Sequence, residues 1–205
     1  MEPKWLEWAK QIQSIAQAGK AYANNDFDME RYEALQQLSV EIMVHHTYTD
    51  QSIIKELFAN ETGYATPKAD IRSVVFRDGK LLMVQEKSDG AWALPGGWGD
   101  IGLTPSEVAV KEVKEEAGFD VQPVKLIGVL DKKCHPHPPS PYHVYKILIQ
   151  CEIIGGEASE SIETSAVGFF SEDDLPPLSI GRNTESQINL AFRHLHKTDE
   201  PGYLD

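Results

Sequence analysis

Residues 96–119 read GGWGDIGLTPSEVAVKEVKEEAGF, and this stretch decides how the rest of the chain is interpreted. Thr104, Pro105 and Glu107 match a capping box, in which the Thr and Glu side chains each accept a hydrogen bond from the other's backbone N–H. Gly118 can adopt the left-handed conformation of a helix C-terminus at little cost because it has no Cβ. The stretch therefore predicts a helix that begins at about Pro105 and ends just before Gly118.

A rotation of about 100° per residue divides this helix into an apolar face and an acidic face. The apolar face carries Ala109, Val110, Val113 and Ala117, and the acidic arc beside it carries Glu112, Glu115 and Glu116. These carboxylates repel one another by roughly a few tenths of a kcal/mol for each exposed pair, and a cation would relieve the repulsion. Oxygen ligation without nearby Cys or His favours Mg²⁺ or Mn²⁺ over Zn²⁺. The alternative interpretation is a solvated acidic helix face without a ligand.

The residue order around this helix resembles the Nudix box. It runs Gly97, five residues, Leu103, seven residues, Lys111-Glu112-Val113, one residue, Glu115-Glu116, one residue, Gly118-Phe119. The resemblance implies a loop–helix–loop unit that binds a divalent metal and hydrolyses a nucleoside diphosphate linked to another group. It maps Glu112, Glu115 and Glu116 onto the metal-binding glutamates, and Gly96 onto the residue whose carbonyl adds a ligand.

Two positions depart from the family pattern. The family has Glu at the position of Leu103 and Arg at the position of Lys111, and those two usually pair as a brace for the loop. Losing the acid removes the need for a bidentate guanidinium. Asp100 lies in the same loop and is a candidate partner for Lys111. The departures put the rigidity of the loop in question, whereas the glutamates expected to bind metal are all present.

The composition narrows the class of protein. With 205 residues, 41% hydrophobic and 25% charged, the chain suits one globular domain of ordinary size with an appendage. A net charge of −13 argues against tight binding to duplex DNA or to an anionic membrane. No apolar run is long enough to cross a membrane and residues 1–4 begin no secretory signal, so we expect a cytoplasmic protein. Cys134 and Cys151 lack C-x-x-C spacing, which disfavours a disulfide framework or a zinc site.

The N-terminal part shows helical spacing of apolar residues. Three helices are predicted between Trp5 and about Phe58, with Asp28 and Thr49 as N-caps of the second and third. Acidic residues outnumber basic ones here, which disfavours DNA reading. We expect residues 1–64 to be a small all-helical domain that packs against the catalytic domain or against another copy of itself, because it buries little surface alone. A homodimer is the preferred expectation. Residues 65–205 are expected to form an α/β protein of the Nudix type, an α/β/α sandwich with a mixed sheet.

Three further residues are candidates for the site. Arg72 lies on the inward side of a predicted strand, where it needs an anion such as a substrate phosphate, or else an acidic neighbour such as Asp70. Trp98 can stack on a base or face a quaternary ammonium group, or belong to the core. Glu163 resembles the family's general base on a loop after the box, with Glu160 as the alternative, and the resemblance adds Glu115 as a catalytic residue.

The sequence predicts a metal-dependent enzyme that hydrolyses the pyrophosphate bond of a small nucleoside diphosphate conjugate. The chain combines a short helical N-terminal segment, an Ala-Thr-Pro-Lys linker and a Gly-Gly-Trp loop. This arrangement resembles the bacterial Nudix branch that includes CDP-choline and ADP-ribose pyrophosphatases. A CDP-choline-like substrate, giving CMP and phosphocholine, is the preferred expectation. ADP-ribose or a nucleotide sugar is an alternative. A nucleotide sensor that binds without hydrolysis is another, because it would also explain Leu103 and Lys111.

Overall fold

The computed structural model describes residues 2–205. The chain divides into two compact units. Residues 2–67 and the segment Pro138–His143 form the helical unit, and Lys68–His137 with Val144–Asp205 form the sheet unit.

The helical unit contains the three predicted helices. They are α1 (Lys4–Tyr22), α2 (Asp26–Thr47) and α3 (Gln51–Phe58). The caps differ from the prediction: Asn25 caps α2 by accepting a hydrogen bond from the Asp28 backbone, and Asp50 caps α3 in place of Thr49. Both residues have the short side-chain oxygen that reaches a first-turn N–H. The capping residues are therefore of the predicted chemical type, but they lie at neighbouring positions in the sequence.

A small apolar core holds these helices together. Its buried members are Leu6, Ala9, Val40, Met43, Ile54 and Phe58. Other large apolar side chains point away from it, since Trp8 is 57% exposed, Ile15 58% and Phe27 74%. The helical unit thus leaves an apolar surface uncovered within its own residues.

The sheet unit is built on a mixed sheet. Its elements are β1 (Lys68–Arg77), β2 (Lys80–Glu86), β3 (Trp92–Ala93), β4 (Gly96–Trp98), α4 (Pro105–Ala117), β5 (Phe119–Asp131), a short 3₁₀ helix (Lys132–Cys134), β6 (Val144–Gly156), β7 (Thr164–Phe170), α5 (Glu185–His196) and β8 (Tyr203–Leu204). The strand order is β3-β2-β1-β6-β5-β8, with β4 paired to β1 and β7 paired to β2. Strands β1 and β6 are parallel, whereas β5 and β6 are antiparallel.

One helix packs on each face of this sheet. Alternate residues of β1 and β2 contribute to two separate cores: Val75 and Leu82 pack with α4, and Val74 and Leu81 pack with α5. This alternation follows from the two-residue period of a strand. The α/β/α sandwich with a mixed sheet that the sequence predicted is confirmed.

The last residues of the chain form a short strand, although their sequence has no pattern that predicts one. Strand β8 pairs with β5 in parallel register, and the Asp205 carboxylate accepts a hydrogen bond from the Asp131 backbone at 2.6 Å. Backbone pairing at a sheet edge needs no side-chain pattern, so sequence periodicity does not reveal it. Among the helices of residues 2–205, none is sufficiently long and apolar to cross a membrane.

Candidate active site

Helix α4 and its flanking loops have the local geometry that the sequence predicted. The Thr104 hydroxyl accepts from the Glu107 backbone at 3.2 Å, and the Glu107 carboxylate accepts from the Thr104 backbone at 2.8 Å. Gly118 ends the helix with φ of 81°, and a Cβ there would lie 3.0 Å from the Ser159 nitrogen. Only glycine therefore fits this C-terminus without strain.

A cavity of about 890 Å³ opens beside the N-terminal loop and one face of α4. Every residue predicted for the site lines it: Arg72, Gly96, Trp98, Glu112, Glu115, Glu116 and Glu163. These residues come from β1, β4, α4 and the loop before β7, which are far apart in the sequence. The fold thus brings the predicted residues together in one place, while their chemical roles stay predictions.

Glu116 is the most enclosed carboxylate of α4. It is 6% exposed, and its Oε2 accepts a hydrogen bond from the Gly96 backbone at 2.8 Å. Burial raises the pKa of Glu116 to about 7, and the negative charges of Glu86 and Glu112 add to the effect, while the Gly96 hydrogen bond and Arg72 oppose it. A solvated acidic face is therefore not what the structure shows at this position. Gly96 has φ of 145°, and a side chain there would clash with the Ile71 carbonyl.

Glu112 and Glu115 share one cation. Lys111 Nζ lies 3.6 Å from Glu112 and 3.4 Å from Glu115, and it donates a hydrogen bond to Asp100 at 2.9 Å. The sequence suggested this Lys111–Asp100 pair, because Leu103 and Lys111 stand where the family has a Glu and an Arg that usually pair. Burial raises the pKa of Glu112, with Lys111 opposing the shift. A Cβ on Gly97 would lie 3.2 Å from the Glu112 carboxylate, so the loop needs glycine to approach it.

The donor chemistry of these glutamates fits a hard divalent cation. All candidate ligands are oxygens. Burial is the main cause of the raised Glu116 pKa, with smaller contributions from the charges of Glu86 and Glu112, and a bound cation would favour the charged form of this carboxylate. The side chains are not arranged as a finished cage, because within residues 2–205 no three or more His, Cys, Asp or Glu groups are placed to hold a metal ion.

Arg72 pairs with Asp70, one of the two partners that the sequence left open, and it also lines the cavity where the other partner, a substrate phosphate, is predicted to bind. Its Nε donates to Asp70 Oδ1 at 2.8 Å and its Nη1 donates to the Leu94 carbonyl at 3.1 Å, yet the residue also lines the cavity. Lys146 on β6 donates to the other oxygen of Asp70. Burial lowers the pKa of Lys146 to about 8, with Asp70 opposing the shift, so it is still mostly charged at neutral pH. We call these residues the Asp70–Arg72–Lys146 cluster.

Sequence reasoning missed Glu86 and Arg182, which also line the cavity. Glu86 is 4% exposed and forms an ion pair with Arg182, whose Nε lies 2.8 Å from Glu86 Oε1. Burial raises the pKa of Glu86, with Arg182 and Arg72 opposing the shift. Glu86 ends a strand and Arg182 lies in the loop before α5, so no local pattern connects them.

Glu163 and Trp98 have more open positions. Glu163 is exposed in the loop before β7, where its backbone N–H donates to Ser161 Oγ at 3.1 Å and its carbonyl accepts from Lys87 at 2.9 Å. The next residue, Thr164, donates from its hydroxyl to the Glu116 carbonyl at 2.8 Å. The loop is therefore tied directly to α4. Trp98 ends β4 and is 52% exposed.

Both parts of the chain are similar to known proteins. A NUDIX domain model matches residues 67–190, and a model described as a UDP-X-like, N-terminal oligomerisation domain matches residues 3–58. A "Putative ADP-ribose pyrophosphatase YjhB" of Bacillus subtilis is 48% identical, with 100% of this chain and 99% of that protein covered. Two solved structures are similar. A "UDP-X diphosphatase" is 30% identical with a TM-score of 0.65 over 98% of both chains. An "ADP-ribose pyrophosphatase" of Streptococcus suis is 44% identical with a TM-score of 0.63, covering 68% of this chain and 100% of that one.

The NUDIX model spans more than half of the chain, and the Bacillus relative aligns along its whole length. The glutamates and glycines of the loop and helix α4 lie together at one cavity. The chain therefore belongs to the Nudix family, and it is a Nudix pyrophosphohydrolase that carries a helical N-terminal region.

Proposed function

We propose that the protein hydrolyses the diphosphate bond of a nucleoside diphosphate linked to a further group, and that the site residues have the roles predicted from the sequence. The observation that carries this proposal is the placement of buried Glu116 and the Arg72 guanidinium on one cavity. Carboxylates can hold a cation and a guanidinium can bind a phosphate, so the same cavity suits both parts of a metal-bound diphosphate.

Glu112, Glu115, Glu116 and the Gly96 carbonyl are the groups that would hold Mg²⁺ or Mn²⁺. A bound divalent cation would neutralise charge on the diphosphate during its hydrolysis. The family generally requires a divalent cation, and activity assays with each metal would decide between Mg²⁺ and Mn²⁺. Oxygen ligands favour these ions over Zn²⁺, and among residues 2–205 no Cys or His lines the cavity.

Glu163 is the proposed general base. It lies at the cavity on a loop tied to α4 through the Thr164 hydroxyl, which would keep its position relative to Glu116. An exposed carboxylate can take a proton from an attacking water. Glu115 would assist at the same step, and Trp98 would stack on the base or on the leaving group.

We propose ADP-ribose as the first substrate to test, with AMP and ribose 5-phosphate as products. It is supported by the name of the Bacillus relative, which is 48% identical over this chain. A UDP-linked compound is the second candidate because the UDP-X diphosphatase structure covers 98% of this chain and the UDP-X-like N-terminal domain model matches residues 3–58. The CDP-choline substrate preferred from the sequence has no support from the relatives described above and stays a prediction.

The test is a panel of ADP-ribose, UDP-glucose and CDP-choline with Mg²⁺ or Mn²⁺, followed by chromatography of the released nucleoside monophosphate. At least one conjugate should be hydrolysed, and the chelator EDTA should abolish turnover. Glu116→Gln should lower kcat by at least about a hundredfold, since it removes a charge from the cation site. Glu152→Gln is the matched control, because Glu152 is an exposed carboxylate on β6 outside the cavity.

Two results would contradict the proposal. A folded Glu116→Gln protein with full activity would remove the α4 glutamates from the mechanism. Stabilisation by nucleotides without any product would favour the alternative of a non-catalytic sensor.

We also propose that residues 1–64 form a domain that pairs two copies of the chain, and that residues 65–205 form the catalytic domain. The exposed apolar residues Trp8, Ile15 and Phe27 supply the surface for pairing. Light scattering during gel filtration should give twice the monomer mass. Ile15→Glu should shift the protein to the monomer, and Glu152→Lys, an exposed charge change on β6 in the sheet unit, should not.

A further inference from the structure

We propose that Asp70 and Lys146 are positioning residues that hold the Arg72 guanidinium in place to bind the diphosphate of the substrate. This inference rests on the proposed function and adds two residues that lie outside the Nudix box. The sequence offered Asp70 only as an alternative partner of Arg72, and Lys146 was not a candidate.

The Arg72 guanidinium is fixed on one side and open on the other. Nε is bound by Asp70 at 2.8 Å and Nη1 by the Leu94 carbonyl at 3.1 Å. Within residues 2–205, Nη2 has no hydrogen-bond partner, and it is not among the buried unsatisfied atoms. Since Arg72 is 6% exposed and lines the cavity, its remaining surface faces the cavity. The open nitrogen is therefore available to an anion there.

Lys146 can act on a ligand only through its neighbour. It is 1% exposed and is not part of the cavity lining, and its Nζ donates to Asp70 Oδ2. The two Asp70 oxygens are thus each held by a different cation. With both occupied, the Asp70 carboxylate is fixed in orientation, and so is the guanidinium that it binds.

The cluster holds more positive than negative charge. One carboxylate and one guanidinium neutralise each other, and the buried Lys146 ammonium adds a second cation to the same carboxylate. With Lys146 protonated, the cluster carries one net positive charge. Arg72 also interacts electrostatically with Glu86, Glu112 and Glu116. Its positive charge lowers the pKa of each of these carboxyl groups, against the effect of burial. Once a cation occupies the α4 glutamates, the surplus charge of the cluster is left for the substrate's phosphates.

The experiment compares Lys146→Gln, Arg72→Gln and the double variant in the full-length chain. Gln keeps a hydrogen-bond donor for Asp70 but removes the charge. Lys125→Gln is the matched control, because Lys125 lies on the adjacent strand β5 and bonds the Thr198 carbonyl away from the cavity. The readouts are calorimetric affinity for ADP with Mg²⁺, kcat and KM for the hydrolysed conjugate, and thermal unfolding.

Lys146→Gln should weaken ADP binding and raise KM by about tenfold, with kcat changed by less than about threefold, because Asp70 then holds the Arg72 guanidinium less firmly for the phosphates and the loss is one of binding. Adding Lys146→Gln to Arg72→Gln should cause little further loss, since Lys146 acts through Arg72. Lys146→Arg should restore most of the affinity. The Lys125→Gln protein should bind ADP like the parent.

Two outcomes would overturn the inference: unchanged ADP affinity in a folded Lys146→Gln protein, or losses that add fully in the double variant. Should Lys146→Gln fail to fold, Lys146→Met, which keeps the chain length without the charge, provides the same comparison. If the parent protein hydrolyses no conjugate, the proposed function fails, but ADP affinity still decides the role of Lys146.

Discussion

The α4 glutamates and the Asp70–Arg72–Lys146 cluster lie at the same cavity region but are assembled in different ways. The glutamates belong to one helix, whose ends are set by Thr104 and Gly118. The cluster joins β1 to β6 through parallel pairing, with Asp70 directly opposite Lys146 in the register. Local signals place the first group, whereas only the sheet topology places the second. Changes to the two groups should therefore differ in whether they disturb the fold or the chemistry.

The largest effect on stability is expected from Asp70→Asn. The change leaves the Arg72 and Lys146 charges buried without their carboxylate, which costs about 3–5 kcal/mol for a buried pair that loses one partner. Asp120→Asn is the control: Asp120 pairs with Lys114 at 2.8 Å with both side chains about half exposed, so its loss should cost about 1 kcal/mol or less. Urea unfolding measures both. Equal effects would show that the cluster contributes little.

Gly96→Ala tests the loop that leads into α4. The added Cβ would clash with the Ile71 carbonyl and lie 2.9 Å from the Arg72 Cα, at a φ of 145° that L-residues rarely adopt. We expect a loss of about 3 kcal/mol in the free energy of unfolding, together with reduced turnover.

Gly79→Ala is the control for this change. Gly79 also has positive φ, at 74°, but nothing lies within 4 Å of its ideal Cβ. Strain alone should then cost about 1 kcal/mol. If urea unfolding gave the two variants the same stability, the steric argument at Gly96 would be wrong.

Glu116→Gln should stabilise the metal-free protein in a pH-dependent way. Because the folded pKa of Glu116 is raised from 4.5 to about 7, the penalty for its charge is absent below about pH 4.5 and complete above about pH 7. The shift corresponds to a gain of up to about 3 kcal/mol for the variant at pH 8, and to little at pH 4.5. Thermal unfolding in EDTA across this range measures it.

The comparison with Glu115→Gln sharpens that test. The Glu115 side chain is 59% exposed, so it has little desolvation to relieve. Its variant should have nearly the same stability as the parent protein in EDTA at pH 8. An equally small difference for Glu116→Gln at pH 8 would contradict the burial argument.

The smallest effect is expected from Asp100→Asn. It removes the Lys111–Asp100 pair, in which the Lys111 side chain is 39% exposed and Asp100 49%. An exposed pair contributes about 0–1 kcal/mol, so urea unfolding should barely change. A loss of several kcal/mol would show that this pair has taken over the bracing role of the missing box residues.

Much of the fold could be predicted because its signals are local. The capping box and the glycine at the end of α4 are each contained in a few neighbouring residues. The predicted caps at Asp28 and Thr49 were wrong because several short polar residues near each helix start can accept the same hydrogen bond. Strand β8 escaped prediction because its pairing involves only the backbone.

By itself, the sequence determined the α4 helix, the order of its glutamates and the class of fold, because helix ends and hydrophobic periods are written in neighbouring residues. Only the tertiary structure decided that Glu116 is buried beside Glu86, that Arg182 pairs with Glu86, and that Lys146 meets Asp70. Those contacts depend on strand register and loop packing between distant segments. Desolvation and charge pairing follow from that packing, so the electrostatics of the cavity cannot be obtained from spacing along the chain.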